Sequence, residues 1–443
     1  MSHQKVVAYN FFKGHPSVDL LPSKEILKAS QKVLETFTDT LAHYDGRDNT
    51  HPLNYGPDLG NLEVRDLIAK WNDKNFNLTK PTDPNCINLT NGASFGLMNA
   101  LLQCTAPFDN ITKQIFMISP TYFLINSAII DHGFSGKLTS IVEFDNGDID
   151  FDSLEKKLKE IESKTPSTKI TKETIYKIYD PNKPMKKIYN YVFYIVPTFS
   201  NPKGGSLSDS SKLRLINIAR KYNMLIICDD VYDLLDFKFG KDESYNHHKR
   251  MVYLDRETLP DDEEYGNVIS NGTFSKLLGP GLRTGWQETA TPKLANLIAS
   301  GGANMSGGTP GHFNTVIIGE LIKSGEVDKI IANLNKIYSE RADTLKKAVL
   351  TYLPNGTKIS PVDGGYFSWI TLPDEYDNIA IAKECTKRGV ILATGDNFEV
   401  TGDERGWGEH GVRVSISHLT SEGILEGIKI WGEVCQSIGK SSL

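Results

Sequence analysis

Between Gly266 and Gln287 the chain reads GNVISNGTFSKLLGPGLRTGWQ. Asn267 to Ser270 suit a short buried strand, a polar glycine-bearing turn follows, and then comes Lys276, with Arg283 seven residues further on. A lysine on a tight turn beyond a strand end can be dry enough to lose its proton, and a free amine condenses with an aldehyde where an ammonium does not. Arg283 and the hydroxyls of Thr273 and Ser275 suit a phosphate. The stretch therefore predicts a Schiff base between Lys276 and pyridoxal phosphate. One lysine does not carry that reading, because most lysines are solvated surface groups. The rest of the chain has to supply the other partners of a pyridine ring.

Those partners are available. A carboxylate near the pyridine nitrogen keeps it protonated, so that the ring can draw electrons; Asp229 of Asp229-Asp230-Val231-Tyr232 suits that role. Tyr232 and Asn201 offer a phenol and an amide for the ring 3-oxygen, and Tyr122 offers a flat face to stack on the ring. A helix opening at Asn91-Gly92-Ala93-Ser94 would present free backbone N–H groups to an anion. Arg413, in Gly411-Val412-Arg413-Val414-Ser415-Ile416, could clamp a substrate carboxylate in two-pronged fashion. Taken singly, Tyr55 and Tyr122 read equally well as locally packed aromatics.

The elements that must position these groups are short apolar strands alternating with helices in the middle of the chain. That pattern predicts an α/β fold with a three-layer, doubly wound, mostly parallel sheet, in which ligands bind beyond the carboxyl ends of strands. Gly92, Tyr122, Asn201, Asp229, Thr273 and Lys276 each fall just past an expected strand end. Val327 to Tyr352 reads as one long amphipathic helix, and the pattern after it is α+β. The expected division is a large domain over 46–325 and a smaller α+β domain built from both chain ends, 1–45 and 326–443. Helical spacing predicts that Leu62, Leu67, Ile68 and Trp71 face inward. Ser300-Gly301-Gly302 reads as a flexible turn. The Lys-rich segment 162–187 reads as an exposed insertion, and 240–262, with His247 and His248, as a charged surface loop with the wrong spacing for a metal.

Composition bounds the partners. Of 443 residues, 39% are hydrophobic and 23% charged, and the net charge is −6. That balance argues against nucleic acid, and no apolar run reaches the 18 residues or so of a membrane span. Five cysteines without a CxxC pair read as free thiols in a reducing compartment, hence a cytoplasmic protein. The first residues show no signal or transit peptide.

In this order, the motifs resemble the fold-type I aminotransferases that depend on pyridoxal phosphate, nearest to the 2-aminoadipate, kynurenine and aromatic subgroup. The similarity spans nearly the whole chain and also includes Pro120-Thr121-Tyr122, Ser200-Asn201-Pro202-Lys203-Gly204, Thr273-Phe274-Ser275-Lys276 and Gly364-Gly365. The resemblance implies that Lys276 carries the cofactor and moves the proton at substrate Cα. It implies that Asp229 pairs with the ring nitrogen, that Asn201 and Tyr232 hold the 3-oxygen, and that Tyr122 stacks. Ala93 and Ser94 (through backbone N–H groups), Thr273, Ser275 and Arg283 would bind phosphate. Arg413, with Asn201, would hold the substrate, and Gly14 would border it. Tyr55 would reach the phosphate of a neighbouring subunit in a homodimer. Ala93 departs from relatives that carry a hydroxyl there.

The function expected is amino-acid metabolism by a ping-pong transaminase acting on an amino acid and a 2-oxo acid. The alternatives are a lyase on the same scaffold or a non-catalytic protein that binds pyridoxal phosphate. Phe12, Tyr366 and the segment 13–20 would favour an aromatic or long aliphatic substrate.

Overall fold

The computed structural model describes residues 8–38, 51–108, 110–165, 186–239, 241 and 245–438. Most of the Lys-rich segment lies outside the described residues, as do Met1 to Val7.

The first strand, β1 (Tyr9–Asn10), pairs in a separate two-stranded ladder considered below. The large sheet follows. It comprises β2 (Ile87–Thr90), β3 (Gln114–Ser119), β4 (Leu138–Val142), β5 (Tyr191–Ile195), β6 (Met224–Cys228), β7 (Val268–Thr273) and β8 (Gly285–Thr289), in the spatial order β2-β8-β7-β6-β5-β3-β4. Six of the seven strands point the same way; β8 alone is reversed, running antiparallel to both β7 and β2. Strands β5 (YVFYI) and β6 (MLIIC) are buried at every position, as expected where helices cover both faces of a sheet. The helices have local reasons to start and stop. Ser208 caps Asp209–Tyr222 by accepting from Ser211 N, and Asn223 ends it in the left-handed region at φ 49°.

The sheet edge settles two details of the strand reading. Thr273 is the last residue of β7 rather than the first beyond it, so its backbone is held by the ladder while its hydroxyl hydrogen-bonds Ser275 Oγ and Thr284 O. The reversal from β7 to β8 returns the chain within reach of Lys276 and places Arg283 on the same rim.

After the 27-residue helix Glu326–Tyr352 comes a second, antiparallel sheet. It contains β9 (Lys358–Ile359), β10 (Phe367–Thr371), β12 (Ala393–Thr394) and β13 (Gly411–Ser415), while β11 (Val390–Ile391) pairs in parallel with β1. The long helix packs against the last one, Ser421–Ile438, and Ser23–Thr38 packs against His312–Lys323.

Two expectations are corrected. In the helix Leu62–Asn75, Leu62 faces solvent and the inward face is Val64, Arg65, Ile68, Ala69, Trp71 and Asn72. Ser300 and Gly301 do form a turn, and a short helix, Gly302–Gly307, starts directly after it. The charged segment after Gly240 is in part interior. His247 is buried, stacks on Phe239 at 3.8 Å between ring centres and hydrogen-bonds Asp236 at 3.2 Å. The buried helix Met251–Glu257 follows it. Arg250, ion-paired with Asp233 and lying 4.5 Å over the Phe76 ring, draws this segment inward. Sequence polarity misled here because the charges are paired rather than solvated.

Candidate active site

A cavity of about 380 Å³ lies at the carboxyl edge of the large sheet and is closed by the small one. It gathers Gly14, Ala93, Ser94, Tyr122, Asn201, Asp229, Tyr232, Thr273, Ser275, Lys276, Arg283 and Arg413. Every site residue expected from the sequence is therefore brought together except Tyr55, whose side is 68% exposed and does not line the cavity.

Lys276 projects from the turn after β7. Its Nζ donates to Gly14 O at 3.3 Å and lies 5.9 Å from the Tyr232 ring and 5.2 Å from the Tyr366 ring. Burial lowers its pKa to about 8; Asp229 works against that fall, while Arg413 and Arg283 add to it. More of the nucleophilic amine is thus present near neutrality than a surface lysine would supply.

Asp229 stands directly after β6. Tyr194 Oη donates to its Oδ2 at 2.8 Å, and Asn271 Nδ2 donates to its Oδ1 at 3.3 Å. Burial raises its pKa to about 6 against the opposing hydrogen bonds and Lys276. A cationic ring nitrogen beside it would reverse that rise, since a nearby opposite charge favours the ionised form.

One end of the cavity is built from backbone and hydroxyls. The helix Ala93–Cys104 starts at Gly92, φ 90°, with no side-chain cap, so its first N–H groups stay available. A Cβ on Gly92 would sit 2.7 Å from Arg283 Nη2, so glycine is what lets the guanidinium close over the helix start. Thr273 Oγ1 donates to Ser275 Oγ at 2.9 Å, and Arg283 Nη1 reaches the same Ser275 Oγ at 3.4 Å. Cations, hydroxyls and open N–H groups without a carboxylate form a donor set that fits a phosphate.

Arg413 comes from β13. Its Nη1 donates to Asn201 Oδ1 at 2.9 Å and its Nη2 to Phe12 O at 2.7 Å. Nε, buried, has no hydrogen-bond partner among the described residues. The guanidinium packs against Phe367 (4.1 Å), Phe398 (4.7 Å) and Phe12 (5.6 Å). Burial pulls its pKa down to about 10, so it remains a cation at neutral pH. A buried cation in an aromatic collar with spare donor capacity fits a carboxylate.

Sequence reasoning missed Tyr194 and Asn271, which hold Asp229. Tyr194 sits inside the apolar run of β5, where a hydroxyl leaves no periodic mark; Asn271, a polar residue in a buried strand, was the available signal. Tyr366 is corrected: it does not line the cavity, and its hydroxyl donates to Lys276 O at 3.1 Å, so it props the lysine from behind. Among the described residues no cluster suits a metal ion, and no helix is long and apolar enough to cross a membrane.

A buried lysine amine, a buried carboxylate and a set of anion donors thus line one cavity at the carboxyl edge of a doubly wound sheet, a donor set that fits pyridoxal phosphate. The family aminotransferase class I and II matches residues 10–430, and the chain belongs to it. The chain is 47% identical over 436 residues to the uncharacterized protein YER152C of Saccharomyces cerevisiae, covering 97% of each. It is 27% identical to aromatic-amino-acid aminotransferase 1 of Thermococcus litoralis, covering 94% of this chain and 85% of that one. The solved kynurenine aminotransferase of Pyrococcus horikoshii superposes with a TM-score of 0.76 at 25% identity, covering 98% of this chain and 92% of that one. The chain is therefore a fold-type I aminotransferase that uses pyridoxal phosphate to move an amino group between an amino acid and a 2-oxo acid.

Proposed function

We propose that Lys276 carries the cofactor and shuttles the proton at substrate Cα in a ping-pong transamination of aromatic or 2-aminoadipate-like amino acids. The observation that carries this is the buried amine of Lys276 in one cavity with Asp229 and Arg413. When bound, pyridoxal phosphate supplies an electron sink that stabilises negative charge at the substrate α-carbon. The protein supplies the rest. Asp229, oriented by Tyr194 and Asn271, holds the ring nitrogen in its protonated form. Asn201 and Tyr232 take the 3-oxygen, and Tyr122 covers a ring face. Ala93 and Ser94 N–H groups, Thr273, Ser275 and Arg283 anchor the phosphate. Arg413 and Asn201 orient the substrate carboxylate, with Gly14 at the boundary, so that the Cα proton faces Lys276.

The aromatic character of the collar, with Phe123 beside Phe12 at 6.2 Å, supports an aromatic substrate side chain. The exposure of Tyr55 supports a homodimer in which this residue completes the phosphate site of the partner. The separation of the large sheet from the later antiparallel one supports a division into a large domain over 46–325 and a small one from 1–45 and 326–443. The five free, buried cysteines are compatible with a cytoplasmic setting.

The test is a half-reaction. An aromatic amino acid should convert the bound cofactor to pyridoxamine phosphate, and a 2-oxo acid should restore it. A screen of amino donors against 2-oxoglutarate then ranks side chains. Conversion by small aliphatic donors alone would overturn the aromatic assignment. Loss of the amino acid's carboxylate instead of its amine would overturn transamination.

A further inference from the structure

Glu143 follows β4 and is 4% exposed. Its Oε1 accepts from Ser200 Oγ at 2.9 Å, and its main-chain oxygen accepts from Lys203 Nζ at 3.0 Å. The two contacts fall on either side of Asn201. The loop between them is closed on itself: Ser200 N donates to Gly205 O at 2.8 Å and Gly204 N to Ser200 O at 2.7 Å. Two glycines bring the loop onto the turn after Glu143. A Cβ on Gly205 would lie 2.9 Å from both Glu143 Oε1 and Gly147 Cα, and one on Gly147 would lie 2.9 Å from Ser206 N. On the far side, Asn201 Oδ1 receives Arg413 Nη1, and the Asn201 side chain also hydrogen-bonds Tyr232.

A buried carboxylate without a cation on its own oxygens is costly. Lys203 faces the main-chain oxygen, and Asp145, on the same turn, pairs with Lys203 at 3.2 Å. Glu143 Oε2 has no hydrogen-bond partner among the described residues, and the residue lines a second cavity of about 190 Å³ together with Lys358 and Ser360. Burial holds its pKa up at about 7, with Lys203 and Ser200 opposing. Nothing in the reaction itself uses this group, so the chain retains an unfavourable burial for its effect on the loop.

We infer that Glu143 is a positioning residue that fixes the Ser200–Gly205 loop, and through it sets the side chain of Asn201 between Tyr232 and Arg413. The inference rests on the reading that Asn201 serves the cofactor and the substrate carboxylate. Glu143 does not itself line the site cavity; it acts through Asn201, which does.

The experiment uses the enzyme loaded with pyridoxal phosphate. The variants are Glu143→Ala, Glu143→Gln, Ser200→Ala, the Glu143→Ala/Ser200→Ala double variant and Asn201→Ala. The readouts are the pH titration of the cofactor's visible absorbance, cofactor affinity, and kcat and KM. Glu143→Ala should weaken cofactor binding by about tenfold, the equivalent of one hydrogen bond to a charged group, and shift the absorbance titration. Glu143→Gln keeps an acceptor of the same shape and should restore both. Ser200→Ala should reproduce Glu143→Ala, and the double variant should be no worse than either single one. Additive losses, or a folded Glu143→Ala protein with wild-type absorbance titration and cofactor affinity, would overturn the inference. Asn201→Ala separates the two levels. If it leaves the absorbance titration unchanged, the role of Asn201 fails; if it shifts the titration while Glu143→Ala does not, only the role of Glu143 fails.

Discussion

The two edges of the large sheet treat charge in opposite ways. At the amino edge, Asp255 receives Arg220 Nη2 on one oxygen at 2.9 Å and the backbone N–H groups of Asn267 and Val268 on the other, at 2.8 and 3.0 Å. Glu288 likewise takes Arg256 Nη2 at 2.8 Å on one oxygen and Asn72 Nδ2 at 3.1 Å on the other. At the carboxyl edge, Asp229 takes only neutral donors, Lys276 touches a carbonyl, and Arg413 keeps an unpartnered nitrogen. At the first edge each carboxylate has an arginine built in, although Arg220 Nε and Arg256 Nε, like Arg413 Nε, find no hydrogen-bond partner among the described residues. At the second, Asp229 and Lys276 have no oppositely charged group in hydrogen-bond contact among the described residues, and on the proposed function a phosphate, a basic ring nitrogen and a carboxylate complete these charges. Burial is common to both; whether the partner is built in or brought in differs.

Breaking either edge should give opposite signatures. Lys276→Ala should reduce transamination by roughly 10³–10⁴-fold and remove the visible absorbance of the lysine-bound cofactor, with the fold retained by circular dichroism. Survival of that absorbance band would end the central assignment. Glu288→Ala leaves the partly buried Arg256 without its carboxylate and should cost about 3 kcal/mol in urea unfolding, while the absorbance titration of folded protein stays in place.

Asp229→Asn should do the reverse in the cofactor-free protein. The folded pKa of Asp229, about 6, lies above its unfolded value, so the folded state binds the extra proton. Stability therefore falls as pH rises from near 4 to near 6, and the loss persists above that window. Removing the charge should raise cofactor-free stability at pH 8 by on the order of 2 kcal/mol, and weaken cofactor binding at the same time. A cofactor-free variant no more stable than the parent at pH 8 would contradict the idea of a charge awaiting its partner. The smallest effect is expected from Tyr194→Phe. Loss of one hydrogen bond, about 1 kcal/mol, should push the Asp229 pKa further up and reduce kcat/KM several-fold, most at the acidic end of the profile.

Much of the carboxyl edge was legible because its residues are anomalies: a lysine, aspartate and arginine next to strands, each beside a turn. Alternation of apolar strands with helices made the sheet legible for the same reason, since burial on both faces leaves unbroken runs such as YVFYI and MLIIC. The amino edge was not legible. Arg256, Glu288 and Asp255 look like ordinary surface charges in sequence, and only tertiary pairing makes them interior. His247 and Arg250 escaped for the same reason, and Tyr194 because a phenol inside an apolar strand is also a packing residue. Glu143 escaped because its partner Ser200 is 57 residues away.

The segment from Tyr9 to Ser17 has a consequence in time. Its neighbours are Val390 and Ile391 by strand pairing, Arg413 at Phe12 O, Ser415 N at Phe11 O, and Ser417 by two hydrogen bonds. Some 400 residues separate these partners, so a chain emerging from the ribosome holds this segment without a place to dock until its last part is made. The parallel sheet and its lysine can assemble earlier, but Gly14 O can reach Lys276, and Arg413 can enter, only once synthesis is nearly complete. The reactive pocket is then the last part of the enzyme to be born, and a truncated chain would carry the lysine without the means to use it.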